Sequence, residues 1–237
     1  MAWLLVDTAS SRAVVAVADN ERTAILAERA LEEPQRHAES LAAAVDDALA
    51  DARVAMADVV GVGVGCGPGS FIGVRTGLSF ALGLGRARGV PVVGISGVAA
   101  LAASAPVPAG ATIVAVVDAK RGERYVARVR FGDDGGLVRC DDPVALVPAA
   151  IEIEAAETVV GAVEGLQEGG AGAHVMRGPT AEGLRRALLV AGAHAPPVPV
   201  YVRDADAKVP AQDPAARRAR VMAELDAADG VDGGRDD

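Results

Sequence analysis

The sequence predicts an α/β fold built in two halves. Three observations carry that expectation. Short apolar runs of strand type at 3–6, 59–64 and 112–117 alternate with longer stretches at helical spacing. A break rich in proline and glycine, Ala105-Pro106-Val107-Pro108-Ala109-Gly110, divides them into two sets. The 237 residues are enough to bury a sizeable core, and 51% hydrophobic content marks a globular chain rather than a disordered one. Aromatics are only 3%, so that core must be built from Ala, Val, Leu and Ile.

The elements follow in order. Residues 3–6 form a first strand ending at Asp7, and Thr8-Ala9-Ser10-Ser11 is turn-like. Val14, Val15 and Val17 read as a second strand and 24–27 as a third, an antiparallel meander that opens the domain. Over 36–52, Leu41, Ala42, Val45 and Leu49 recur at helical spacing while Glu39, Asp46, Asp47 and Asp51 take the other side. The strand at 59–64 runs into Gly65-Cys66-Gly67-Pro68-Gly69-Ser70, and a second helix is expected from about 73 to 88. Gly73, Gly77, Ala81 and Gly85 lie four apart on it, a stripe without side-chain bulk. Glycine inside a helix costs up to about 1 kcal/mol against alanine, so the stripe implies close approach by another backbone. Then come a strand at 90–93, a short helix at 96–103, a strand at 112–117, and a pair at 123–131 and 137–140 across the turn at 132–136. A strand candidate at 159–160 and a helix at 180–191 complete the set. The expected divisions are a first lobe over 1–104, a reduced second lobe over 111–203 and an acidic Ala/Asp-rich tail over 204–237.

Charge and composition remove several function classes. The net charge of −9 opposes nucleic-acid binding by the chain alone. Cys66 and Cys140 make no disulfide scaffold, and a reducing compartment fits better. The uncharged run 89–117 is interrupted by Pro91, Gly94, Gly97, Pro106 and Pro108, so a membrane-spanning helix is not expected, and a cytoplasmic protein is.

The glycine loop precedes a helix, a geometry that suits anions. No Gly-Lys-Ser/Thr is present, no acid lies between Asp58 and Asp118, and Ser70 lacks the flanking glycines of a nucleophile elbow. The plainer reading, a loop that turns tightly, is preferred. His37, His174 and His194 show no ligand spacing, and Cys66 has no histidine near it in sequence. Asp7, with Thr8 after it, and Asp118 each end a strand, and are weak candidates for organising a hydrated metal-nucleotide; turn capping explains them more simply. Lys120, Arg121, Arg124, Arg128 and Arg130 form a basic cluster. Arg124, Arg128 and Arg130 share parity on a strand, which suits RNA phosphates, an acidic partner, or an edge strand protected by charge.

At this point the chain resembles the TsaB (YeaZ) family. Gly65-Cys66-Gly67-Pro68-Gly69-Ser70-Phe71-Ile72-Gly73-Val74-Arg75 is similar to that family's signature, departing from it at Ile72, where the family has Thr. Asp7-Thr8-Ala9, the stretch Asp118-Ala119-Lys120-Arg121-Gly122-Glu123-Arg124-Tyr125 and Pro199-Val200-Tyr201-Val202-Arg203 follow the family's other markers in the same order. The resemblance implies an actin/Hsp70/sugar-kinase-like, ribonuclease H-like, two-lobed fold with a reduced C-terminal lobe. It also implies a non-catalytic partner of the transferase TsaD and of the ATPase TsaE, in threonylcarbamoyl transfer to the adenosine beside the tRNA anticodon. The metal-binding His-Met-Glu-Gly-His run of TsaD corresponds here to Ser96-Gly97-Val98-Ala99-Ala100, which holds no ligand. The expected cofactor set is therefore empty in the isolated chain, with ATP or ADP entering only in the complex.

The expected partner surface comprises Leu41, Val45, Gly73, Arg75, Gly77, Phe80 and Ala81. It would self-pair into a homodimer when the chain is alone. Gly77→Leu is then expected to abolish partner binding and leave the isolated fold intact. Two alternatives stand beside this reading: an autonomous glycoprotease-like peptidase or ATP-dependent transferase, and direct tRNA binding through Arg121, Arg124, Arg128 and Arg130.

Overall fold

A computed structural model describes residues 1–106, 108–166, 169–190 and 194–202. The expected tail at 204–237, and Arg203 of the last motif, lie outside the described residues.

The first sheet is built on a meander of β1 (Ala2–Asp7), β2 (Ala13–Asp19) and β3 (Ile25–Leu31). Beside β1 run two parallel strands, β4 (Val59–Gly65) and β5 (Val92–Ile95). Parallel pairing needs a crossover, and α2 (Phe71–Arg88) supplies the one between β4 and β5. The helix α1 (His37–Ala52) connects β3 to the β4 region. Serine and glycine bound α2: Ser70 Oγ accepts from the Gly73 N–H at 3.3 Å, and Gly89 closes the helix in the left-handed conformation.

The second sheet has β6 (Thr112–Asp118) and β7 (Arg124–Phe131) at its centre. β8 (Leu137–Cys140) and β9 (Val144–Leu146) both pair with β7. β10 (Thr158–Gly161) and β11 (Gly172–Val175) extend the sheet on the β6 side in parallel. The chain then returns to the first sheet. The helix α4 (Ala181–Leu189) packs on it, and the two-residue β12 (His194–Ala195) pairs antiparallel with β5. The first sheet thus reads β12-β5-β4-β1-β2-β3 and the second β11-β10-β6-β7-β8.

Four apolar layers hold these elements. α1 and α2 set Leu41, Val45, Leu49, Val74 and Leu78 against Leu4, Val6, Val62 and Val64 of the first sheet. On its opposite face Leu184 and Leu188 of α4 meet Leu5, Val14 and Ile95. The wholly buried α3 (Gly97–Ala102) lies beside α4 and turns Val98 and Leu101 to Ile113, Val129 and Phe131 of the second sheet. That sheet's outer face, with Val114, Val116, Val126 and Val159, is covered by Ile151, Ile153, Val163 and Leu166 from the segments flanking β10.

Three strands escape the sequence pattern. β11 is exposed at all four residues, β12 is two residues long, and β9 is three, so none carries an alternation to read. β7 has neighbours on both sides, so its arginines do not guard a sheet edge. Among the described residues no helix is long and apolar enough to cross a membrane.

Candidate functional site

Among the described residues, two concavities on the surface bear on the expected sites. The larger, about 720 Å³, lies between the two sheets and is lined by Thr8, Ser10, Gly73, Asp118, Lys120 and Arg177 among others. It is where the expected nucleotide-loop residues should meet; Thr8 and Asp118 line it, and Asp7 does not. Asp7 is 1% exposed and is not part of the cleft wall. Its Oδ1 accepts the Ala9 N–H at 3.2 Å, while Oδ2 has no partner among the described residues and lies against Gly65, where any side chain would collide with it. Burial pushes this carboxyl up to about 6, against the pull of the Ala9 and Ser10 amides. Thr8 donates its hydroxyl to the Gly73 carbonyl at 2.6 Å. Asp118 does reach the cleft, but already neutralised. Lys120 donates to it through backbone N–H at 2.9 Å and Nζ at 2.8 Å, and Arg124 stands 3.6 Å away. Burial opposes ionisation of Asp118, yet those cations outweigh it and hold the carboxyl below the usual range.

The residues present therefore do not fit a metal-nucleotide. Asp7 faces β4, and Asp118 is occupied by Lys120. Cys66 fits no better as a nucleophile. Burial, with the Asp7 charge adding to it, pushes the thiol up to about 11. His37 is buried with Nε2 3.1 Å from the Leu31 carbonyl. Among the described residues no three His, Cys, Asp or Glu side chains gather as a metal-binding set.

The second concavity is a groove of about 490 Å³ between α1 and α2. Leu41 and Ala42 form one wall and Ile72, Arg75, Ser79 and Phe80 the other; among the described residues no Asp or Glu lines it. Ile72 is 74% exposed and Phe71 45%, an uncovered apolar corner at the start of α2. This corrects the expected partner surface. Gly73, Gly77 and Ala81 are buried inside the chain. A Cβ on Gly73 would run into the Thr8 carbonyl, and one on Gly77 would sit 2.6 Å from Thr8 Oγ1. The bulk-free stripe exists because the turn after β1 lies against Gly73 and Gly77, and Val90 and Val92 at β5 lie against Gly85. Gly77→Leu is therefore expected to disturb the fold itself rather than a free surface. Val45 is likewise core, and Leu41, 2% exposed, is a core residue that also reaches the groove wall. The open side of α2 is the opposite stripe, Ile72, Arg75, Ser79 and Leu82. Its signal in the sequence is the complement of the glycine stripe.

The basic cluster is also dispersed. Arg124 is 13% exposed and donates to the carbonyls of Ala162 at 3.3 Å and Glu164 at 3.2 Å. Arg128 pairs with the buried Glu157 at 2.7 Å and bonds the Glu152 carbonyl at 2.8 Å. The segment covering the outer face of the second sheet thus takes up both arginines. Arg130 is exposed opposite Arg139, and Arg121 is exposed in the turn before β7. Together they present no continuous basic face.

The TsaD family model, tRNA N6-adenosine threonylcarbamoyltransferase, matches residues 25–158. A protein of Mycobacterium tuberculosis described as uncharacterized is 36% identical over 205 residues, 86% of this chain and 93% of that one. The tRNA threonylcarbamoyladenosine biosynthesis protein TsaB of Escherichia coli is 34% identical over 103 residues, 43% of this chain and 45% of that protein. The structure of YeaZ from Pseudomonas aeruginosa superposes with a TM-score of 0.71 at 25% identity, covering 84% of this chain and 99% of that one. The two-sheet architecture is accordingly the actin-like, ribonuclease H-like fold.

Proposed function

The chain belongs to the TsaB (YeaZ) family of tRNA threonylcarbamoyladenosine biosynthesis proteins, and from that premise we propose that it is the docking subunit of a threonylcarbamoyl-transfer complex. Its partners are the transferase TsaD and the ATPase TsaE, and it reaches tRNA through them. The carrying observation is the largely apolar groove between α1 and α2, without an acid among its described lining residues and with Phe71 and Ile72 uncovered at its mouth. Exposed apolar surface of this kind is the mark of an interaction site. When the chain is alone, a second copy covers the same groove. The cleft supports a non-catalytic role, because Asp7, Thr8 and Asp118 are each committed to contacts within the chain. ATP or ADP enters only with the assembled complex, and the site of action is the cytoplasm.

Reconstitution tests this directly. Threonylcarbamoyl transfer to tRNA is assayed with TsaD and TsaE of the same organism, with and without this chain. Activity is expected only with the chain present. Ile72→Asp is expected to remove TsaD from co-purification with no change in the thermal midpoint of the isolated protein. Transfer at full rate without the chain, or undiminished capture by Ile72→Asp, overturns the reading. Hydrolysis of peptide or ATP by the chain alone, lost in Asp7→Ala, would replace it with the autonomous-enzyme alternative.

A further inference from the structure

We propose that Arg75 is the specificity-determining residue of the docking groove and that it reads a carboxylate on the partner subunit. The inference rests on the docking role above and deepens it. The Arg75 guanidinium lies 3.7 Å over the Phe71 ring and 5.8 Å from the Tyr201 ring centroid, and its Nε donates to Tyr201 Oη at 2.8 Å. The two rings are 5.3 Å apart. Tyr201 is in turn held in place by Val200, whose N–H donates to the Cys66 carbonyl at 2.9 Å and whose side chain packs on the core under α2. Residues 126 apart in sequence thus clamp one cation at the rim of the groove.

The clamp leaves a specific group on offer. Nε is engaged, while the two terminal nitrogens of Arg75 have no acceptor among the described residues. A partner helix laid into the groove takes this guanidinium out of water. A desolvated charge without a counter-charge is strongly unfavourable, and among the described residues the groove lining contains no acid to supply one. No described residue supplies that counter-charge, and a carboxylate on the partner does. The planar fork matches an Asp or Glu carboxylate, and its orientation by Phe71 and Tyr201 removes much of the ordering entropy otherwise lost on binding. The same residue discriminates between partners. Two copies of this chain meeting groove to groove bring an arginine each and, among the described residues, no lining carboxylate, so self-pairing gains nothing from it.

The test is calorimetric titration of TsaD of the same organism into wild-type chain, Arg75→Met, Arg75→Lys, Tyr201→Phe and the Arg75→Met/Tyr201→Phe double variant, with Ile72→Asp as control. Arg75→Met is expected to weaken binding about 30-fold or more, and Arg75→Lys to recover little of it. Tyr201→Phe keeps the ring and loses the hydroxyl; it is expected to fall between, with no added effect in the Arg75→Met background. Sedimentation equilibrium is expected to show self-association of Arg75→Met at least as strong as wild type. Arg75→Met binding within about threefold of wild type, while Ile72→Asp abolishes it, refutes carboxylate reading and leaves docking standing. Loss of effect in both variants refutes docking at this groove. Weakened self-association in Arg75→Met overturns the discrimination.

Discussion

Asp7 is a buried carboxylate with one oxygen satisfied by the Ala9 amide and the other turned to Gly65. Its linkage to folding follows from the direction of its shift. Unfolded, the group titrates near 3.8; folded, at about 6. Below about pH 4 both states carry the proton and the residue imposes no penalty. As pH rises the folded state holds its proton longer, so stability declines, and above the folded value the full penalty of about 3 kcal/mol is present. Asp7→Asn keeps an acceptor for Ala9 and removes the charge. It is expected to raise stability by up to about 3 kcal/mol at pH 8 and by almost nothing at pH 3.5. Urea unfolding followed through Trp3, the single tryptophan, reads this out. Parallel pH profiles for the two proteins would contradict it. Asp7 itself was visible in the sequence as a strand-terminal acid. Its inward orientation was not, because Gly65, the residue that makes room for it, lies on another strand.

At the scale of the element, α2 has two sides with opposite tolerances. Inside, a methyl on Gly77 meets Thr8 Oγ1, and bulk on Gly73 meets the Thr8 carbonyl. Outside, Gly83 has nothing within 4 Å of where its Cβ would stand. Gly83→Ala is therefore expected to stabilise the protein by about 1 kcal/mol through helix propensity alone. Gly77→Leu is expected to destabilise it by about 3 kcal/mol or more through overpacking. Thermal unfolding of the pair decides the matter, and similar midpoints would mean that the stripe is not an internal seam. The spacing of Gly73, Gly77 and Ala81 correctly implied a close backbone neighbour. It did not say whose backbone, since β1 and a partner subunit impose the same demand on a helix surface. The basic strand shows the same limit. Parity placed Arg124, Arg128 and Arg130 on one face, but the cover over that face comes from 147–166.

At the scale of the whole molecule, net charge and the dispersal of the arginines act together. The chain carries −9, and Glu157 and the carbonyls of 152, 162 and 164 absorb its most central cations. A gel shift of tRNA with this chain alone is expected to show no complex at 150 mM salt (about the physiological level) and no difference for Arg128→Ala. The same variant is expected to lose about 2 kcal/mol of stability, because Glu157 stays buried without its partner. That figure is set below the fully buried range because Arg128 is itself 40% exposed. A salt-sensitive tRNA complex formed by the isolated chain would restore the basic cluster as a binding face. The sequence by itself determined the order of the helices and of all strands but β9, β11 and β12, the turn chemistry between them, and the family signature around 65–75, since all of these are written in local period and spacing. Only the tertiary structure decided which side of α2 is open, which carboxylates face inward, and which arginines remain available. Each of those outcomes depends on a neighbour far away in the chain, such as Thr8 against Gly73 or Tyr201 against Arg75, and local pattern carries no record of such pairings.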